Sequence, residues 1–136
     1  MSAKEKHPHL DNATEEQIAE LLEGKTPAMR QLYLDIHRLL LSALPDLTYT
    51  TDCHDGVTSY GIRQYGYDGW GMAALAAHSK WVSLFFMRGV KLTDSEGLLE
   101  GSGKLLRHVK LRSPEQLAQQ REALLALIAT AARINL

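Results

Sequence analysis

"GLLEGSGKLLRHVKL", residues 97–111, is the stretch on which the fold turns. Glycines bracket a turn, a lysine follows and positive charge accumulates, so it could be a phosphate cradle or a turn feeding a strand. A P-loop is written G-x-x-x-x-G-K-[ST], and its last hydroxyl ligates magnesium. Here Gly97 stands six positions before Gly103 instead of five, and Lys104 is followed by Leu105. A P-loop also opens a helix, whereas "RHVKLR" at 107–112 alternates with the period of a strand. The stretch is therefore a turn entering a strand, with Gly101 and Gly103 expected at positive φ. In that strand Arg107, Val109 and Leu111 share one face, and His108, Lys110 and Arg112 the other. Arg107 is then a guanidinium on an apolar face. If that face is covered, it has to meet a carboxylate or backbone carbonyls.

Downstream, Ser113 reads as an N-cap, Pro114 as the first helical residue and Gln116 as the partner of a capping box. Leu117, Leu124, Leu125 and Ile128 give this long C-terminal helix one apolar stripe. Upstream, "WVSLFFM" at 81–87 is apolar on both faces and reads as a central strand. "MAALAAHS" at 72–79 lies between a glycine-rich turn and that strand, and is read as a hairpin arm despite its alanines. Asp68-Gly69 marks the turn. Residues 57–63 make another strand, with Val57, Ser59, Gly61 and Arg63 facing one way. Leu47, Tyr49 and Thr51 alternate in one more.

Ahead of the strands, Thr26 caps and Pro27 opens a helix. Its positions Met29, Leu32, Tyr33, Ile36, Leu39, Leu40 and Ala43 fall on one face, and Pro45 ends it. Thr14 with Gln17 is a capping box for a helix near 15–23, which Gly24 stops. Residues 1–12 read as a mobile polar lead-in and 13–136 as a single domain. The expected fold class is α+β: an antiparallel sheet of about five strands packed against N- and C-terminal helices, covered on one face.

Composition agrees with one folded domain: 136 residues, 45% hydrophobic. Fifteen Lys and Arg against sixteen Asp and Glu give no basic excess of the kind a nucleic-acid binder carries. A single cysteine, Cys53, allows no internal disulfide and no cysteine-based zinc cluster. No apolar run suits a secretion signal or a membrane span, so the expectation is a cytoplasmic protein with neither a nucleic-acid nor a membrane partner.

The succession "HSKWVSLFFMRGVKL", "LLEGSGKLLRHVKL" and "SPEQL" resembles the YdhG-like proteins, a mostly bacterial family of unknown function. The resemblance spans roughly residues 26–134, and its most specific part is Gly101, Gly103, Lys104, Arg107, His108 and Lys110. It implies a frataxin-like sandwich of helices on a sheet, and iron as a possible cargo, since one member is regarded as an iron chaperone. It brings no catalytic residue set.

Three groups of side chains invite a chemical reading. Glu16, Glu20 and Glu23 fall on one face of the first helix, as oxygen ligands for a hard cation such as iron would; they equally make a solvated helix face. Tyr65, Tyr67 and Trp70, with Tyr60, are interleaved with glycines and either wall a ligand pocket or cap the end of a sandwich. Lys104, Arg107 and His108 make a candidate anion site. "TDCHD" at 51–55 offers four potential ligands in a row, but alternation lets at most two converge, and it also reads as a hairpin turn. With no nucleophile–base signature, the leading expectation is a non-catalytic binding module for a metal ion, a small ligand or a partner protein. The alternatives are an enzyme acting on a small anionic substrate through Lys104, Arg107 and His108, or a dimeric structural or regulatory protein. A monomer and a homodimer both remain open.

Overall fold

Every strand of the sheet pairs with its neighbour in sequence. The computed structural model describes residues 8–67, 69 and 71–134. In these residues strands β1 (His9–Asp11), β2 (Tyr49–Asp52), β3 (Thr58–Tyr60), β4 (Ala73–Ala77), β5 (Val82–Phe86) and β6 (Arg107–Leu111) form one antiparallel sheet in that order. Helices α1 (Glu15–Leu21), α2 (Pro27–Ala43) and α3 (Pro114–Arg133) complete an α+β fold. The sheet has six strands, not about five. His9–Asp11, within the segment read as a mobile lead-in, pairs with β2, Leu10 opposite Thr51.

The helix starts follow from their caps. The Thr14 hydroxyl accepts from the Gln17 N–H at 3.1 Å and the Gln17 side chain accepts from the Thr14 N–H at 2.9 Å, a closed capping box. Thr26 caps α2 alone. At α3 the Ser113 hydroxyl accepts from Gln116 N–H, but the Gln116 side chain reaches back one residue further than a capping box requires. It accepts from Arg112 N–H at 2.7 Å and donates to Lys110 O at 2.8 Å, tying the helix start to the end of β6. Helix α1 ends at Leu21, earlier than expected, so Glu23 lies beyond it. Strand β3 is also shorter than its apolar pattern, because Gly61 and Arg63 adopt positive φ (71° and 59°) and turn the chain away.

Alternation divides the sheet cleanly. Thr58 and Tyr60, Ala73 and Leu75, Val82, Leu84 and Phe86, and Val109 and Leu111 face the helices. There they meet Leu32, Tyr33, Ile36 and Leu40 of α2 and Leu124, Leu127 and Ile128 of α3 in one core. Ser59, Ala74, Ser83, Phe85, His108 and Lys110 occupy the other face, which no helix of the described residues covers. Ala74 is buried yet outside the core, sunk between taller neighbours on that open face.

Polar groups inside the core are matched. Thr51, Thr58 and Tyr33 form a hydroxyl chain that ends on the Gly56 carbonyl. A single donor direction, Thr51 to Thr58 to Tyr33 to Gly56, satisfies all of it.

Candidate functional site

Between β5 and β6 the chain makes its longest connection without an α-helix, residues 87–106, and this is where most of the opening stretch sits. Gly89–Lys91 is a single 3-10 turn. A Cβ at Gly89 would overlap that of Arg107 and lie 2.9 Å from the Arg107 nitrogen, so only glycine lets the turn press on the start of β6. The Val90 N–H donates to Leu105 O at 3.0 Å and joins the turn to the 101–106 loop. Asp94 accepts from the N–H groups of Leu98 and Leu99, fixing the intervening bend. Glu100 and His108 exchange both backbone hydrogen bonds, so the excursion adds one bridge to the outer edge of β6.

Arg107 resolves its sequence-level conflict with carbonyls. Its Nη1 donates to Gly103 O and to Leu106 O, each at 2.7 Å, so the guanidinium folds the loop that leads into its own strand. Gly101 takes positive φ (127°), as expected, and so does Gly97. Gly103 is not among the positive-φ residues.

The product of this geometry is an apolar and basic corner. Among the described residues the exposed large hydrophobics are Val90 (47%), Leu105 (46%) and Leu106 (42%), and all three lie here. A single exposed leucine carries no message, but a cluster does. Lys91 and Lys104 flank the three side chains, both exposed, with Arg107 behind them. No Asp or Glu occurs in 88–92 or 101–107; of the acidic residues between them, Asp94 is turned to the Leu98 and Leu99 amides, Glu100 lies 4.0 Å from Lys110, and Glu96 is exposed.

Other candidate residues separate. Lys104 is on the loop whose Gly103 carbonyl Arg107 holds, so these two share the corner, while Arg107 lies on the helix-facing side of β6 and His108 on the open face. His108 packs beside Phe85, ring centroids 5.6 Å apart. Tyr67 is buried in the core, its hydroxyl donating to Ala131 O of α3 at 3.1 Å while the Arg88 guanidinium covers its ring. Tyr65 is half-buried and packs against the core near Gly61. Tyr67 is thus a plug at the end of the sandwich, not a pocket wall. Trp70 and Asp68 lie outside the described residues.

Glu16 and Glu20 stand on α1 and Glu23 past its end, and among the described residues no group of three or more His, Cys, Asp or Glu is placed to hold a metal ion. Residues 52–56 form the hairpin turn between β2 and β3. Asp52 accepts from His54 N–H, Asp55 from Val57 N–H, and Gly56 N–H donates to Asp52 O. Two carboxylates of "TDCHD" therefore shape the turn.

Two further features come from the structure alone. A shallow groove of about 370 Å³ runs between α2 and α3, lined by Asp35, Arg38, Leu39, Leu117, Ala118 and Arg121 among others. Arg38 there is clamped by Glu15, whose carboxyl is held below its ordinary pKa by the hydrogen bond from that guanidinium. Under the same part of α2, His37 is buried with Nδ1 2.7 Å from the Tyr60 hydroxyl. Burial pushes His37 below its ordinary value and Tyr60 well above its own. The phenol and the imidazole share one hydrogen bond, whose direction follows the imidazole tautomer. This pair lies inside the core and acts as a strut between α2 and β3.

No family model, curated protein or solved structure matches the chain. No helix among the described residues is long and apolar enough to cross a membrane.

The corner was only half visible in the sequence. Lys104 and Arg107 stand out there, while Val90, Lys91, Leu105 and Leu106 belong to no motif. The signal was there in "GKLL": two leucines in a glycine-bracketed turn, where polar residues are the norm.

Proposed function

We propose that the protein is a non-catalytic binding module that docks through the corner formed by residues 89–91 and 101–107. One observation carries this reading: Val90, Leu105 and Leu106, the exposed large hydrophobics of the described residues, converge on one basic, hydrogen-bonded corner. Leaving each of these side chains half in water forgoes roughly 1 kcal/mol of burial. A docking surface recovers that energy when occupied. The enzyme reading asks Lys104, Arg107 and His108 to act together, and alternation puts His108 on the opposite face of β6 from Arg107, which favours docking over catalysis. The resemblance to YdhG-like proteins stays an inference from the 101–110 run, and fits a binding module without specifying its ligand.

A photo-activatable residue at Leu106, compared with one at exposed Gln119 on α3, tests the assignment in cells expressing the chain. Adducts formed from position 106 and not from 119 support a docking corner, whether the captured species is protein, lipid or a second copy. Equal labelling from both positions, or none from 106, would overturn it.

A further inference from the structure

Resting on that docking corner, we infer that its occupant is the surface of an anionic lipid bilayer, which the protein binds peripherally through Val90, Leu105 and Leu106 with Lys91 and Lys104 alongside. The corner's apolar side chains stand open to solvent, each more than two-fifths exposed. Its anchors are aliphatic, whereas protein interfaces concentrate their energy in aromatic and arginine side chains seated in pockets. It is also small. The three side chains expose on the order of 200 Å², against the ~800 Å² per partner of a standard protein interface. A bilayer needs neither pocket nor shape complementarity. It accepts short aliphatic tips at the acyl boundary and holds flanking lysines at the headgroups.

A second copy fits less well. A two-fold contact would set Lys91, Lys104 and Arg107 against their own images, like charge on like. Charge across the molecule favours the lipid instead. Residues 8–24, carrying the β1 edge and α1, hold Asp11, Glu15, Glu16, Glu20 and Glu23 with no Lys or Arg. The basic corner lies against β6, the opposite edge of the sheet. An anionic surface therefore attracts one end of the molecule and repels the other, orienting the corner toward it although the net charge is only −1. The sequence-based expectation of no membrane partner rested on the lack of a spanning segment. Peripheral binding does not need one.

Sedimentation of the full chain with vesicles tests this. Binding is expected to vesicles containing phosphatidylglycerol, to be lost with pure phosphatidylcholine, and to weaken steeply as salt is raised. Lys91→Ala with Lys104→Ala is expected to weaken it roughly thirtyfold, at about fivefold per charge. Leu105→Ser with Leu106→Ser should abolish it at unchanged charge, and both double variants should keep the wild-type circular dichroism and melting profile. Binding that survives the leucine substitutions would overturn the inference, since charge alone would then explain it. So would sedimentation velocity showing a dimer that Leu106→Ser dissolves. No vesicle binding, with cross-links still forming from position 106, would overturn the lipid assignment and keep the docking corner; loss of both would remove both.

Discussion

Nδ1 of His37 and the hydroxyl of Tyr60 lie 2.7 Å apart inside the core, joining α2 to β3. Tyr49 stands edge-on to the same imidazole, ring centroids 4.8 Å apart. Tyr60→Phe keeps the ring and strips the imidazole of its hydrogen-bond partner. It is expected to cost about 1–3 kcal/mol of stability, the range for leaving a buried polar group without a partner. Urea denaturation of the variant against wild type measures this. A loss below a few tenths of a kcal/mol would show that the pair contributes nothing.

The same imidazole makes stability depend on pH. His37 sits below its ordinary pKa of 6.5 through burial, so the folded chain resists a proton that the unfolded chain accepts. Its contribution is fully present above pH 6.5 and is lost as pH falls from there toward the lowered value. The urea midpoint is expected to drop between about pH 7.5 and pH 5.5, and His37→Phe should flatten that slope. Some slope should survive, because burial lowers the pKa of His78 as well. An identical slope in the variant would place the titration elsewhere.

Gly89→Ala forces a methyl into Arg107. It is expected to cost about 1–3 kcal/mol, as overpacking does, and to free the Val90 amide from Leu105 O. Hydrogen exchange at Val90 should accelerate while β4 and β5 amides stay protected. Unchanged exchange at Val90 would mean that the turn moves as a unit and does not need glycine.

Arg107→Lys removes Nη1, the one guanidinium nitrogen that donates to both carbonyls, and puts a shorter side chain ending in an ammonium in its place. Loosening of residues 101–106, seen as faster hydrogen exchange or protease cleavage there, is the expected outcome, with a stability loss of about 1–2 kcal/mol. Wild-type protection in Arg107→Lys would show that charge alone holds the loop.

Much of the fold could be read from residue spacing, and the misses have physical causes. The stripe from Met29 to Ala43, the capping threonines, the continuous apolar run of 81–87 and the two-residue alternation in 107–112 can each be seen without tertiary knowledge. Strand β1 does not: "HLD" is three residues long, and its conformation comes from the backbone groups that β2 presents. Arg107 was half legible. Alternation placed it on an apolar face and demanded partners, but only the folded loop reveals that these are the carbonyls of Gly103 and Leu106. The corner itself was hidden for a different reason. Val90 and Leu105 are distant in sequence, and one backbone hydrogen bond across the β5–β6 excursion makes them neighbours.

Because spatial and chain order coincide across the six strands, the sheet assembles without any strand having to insert between two others. Its tightest link is the turn from β4 to β5, where His78 N–H donates to Trp81 O at 2.8 Å and the stacked rings of the same two residues reinforce the reversal. Closing so short a loop sacrifices little chain entropy. That hairpin is thus the pairing that costs the chain least to close, and β1, three residues long and paired on one side only, is the strand with the fewest partners to hold it.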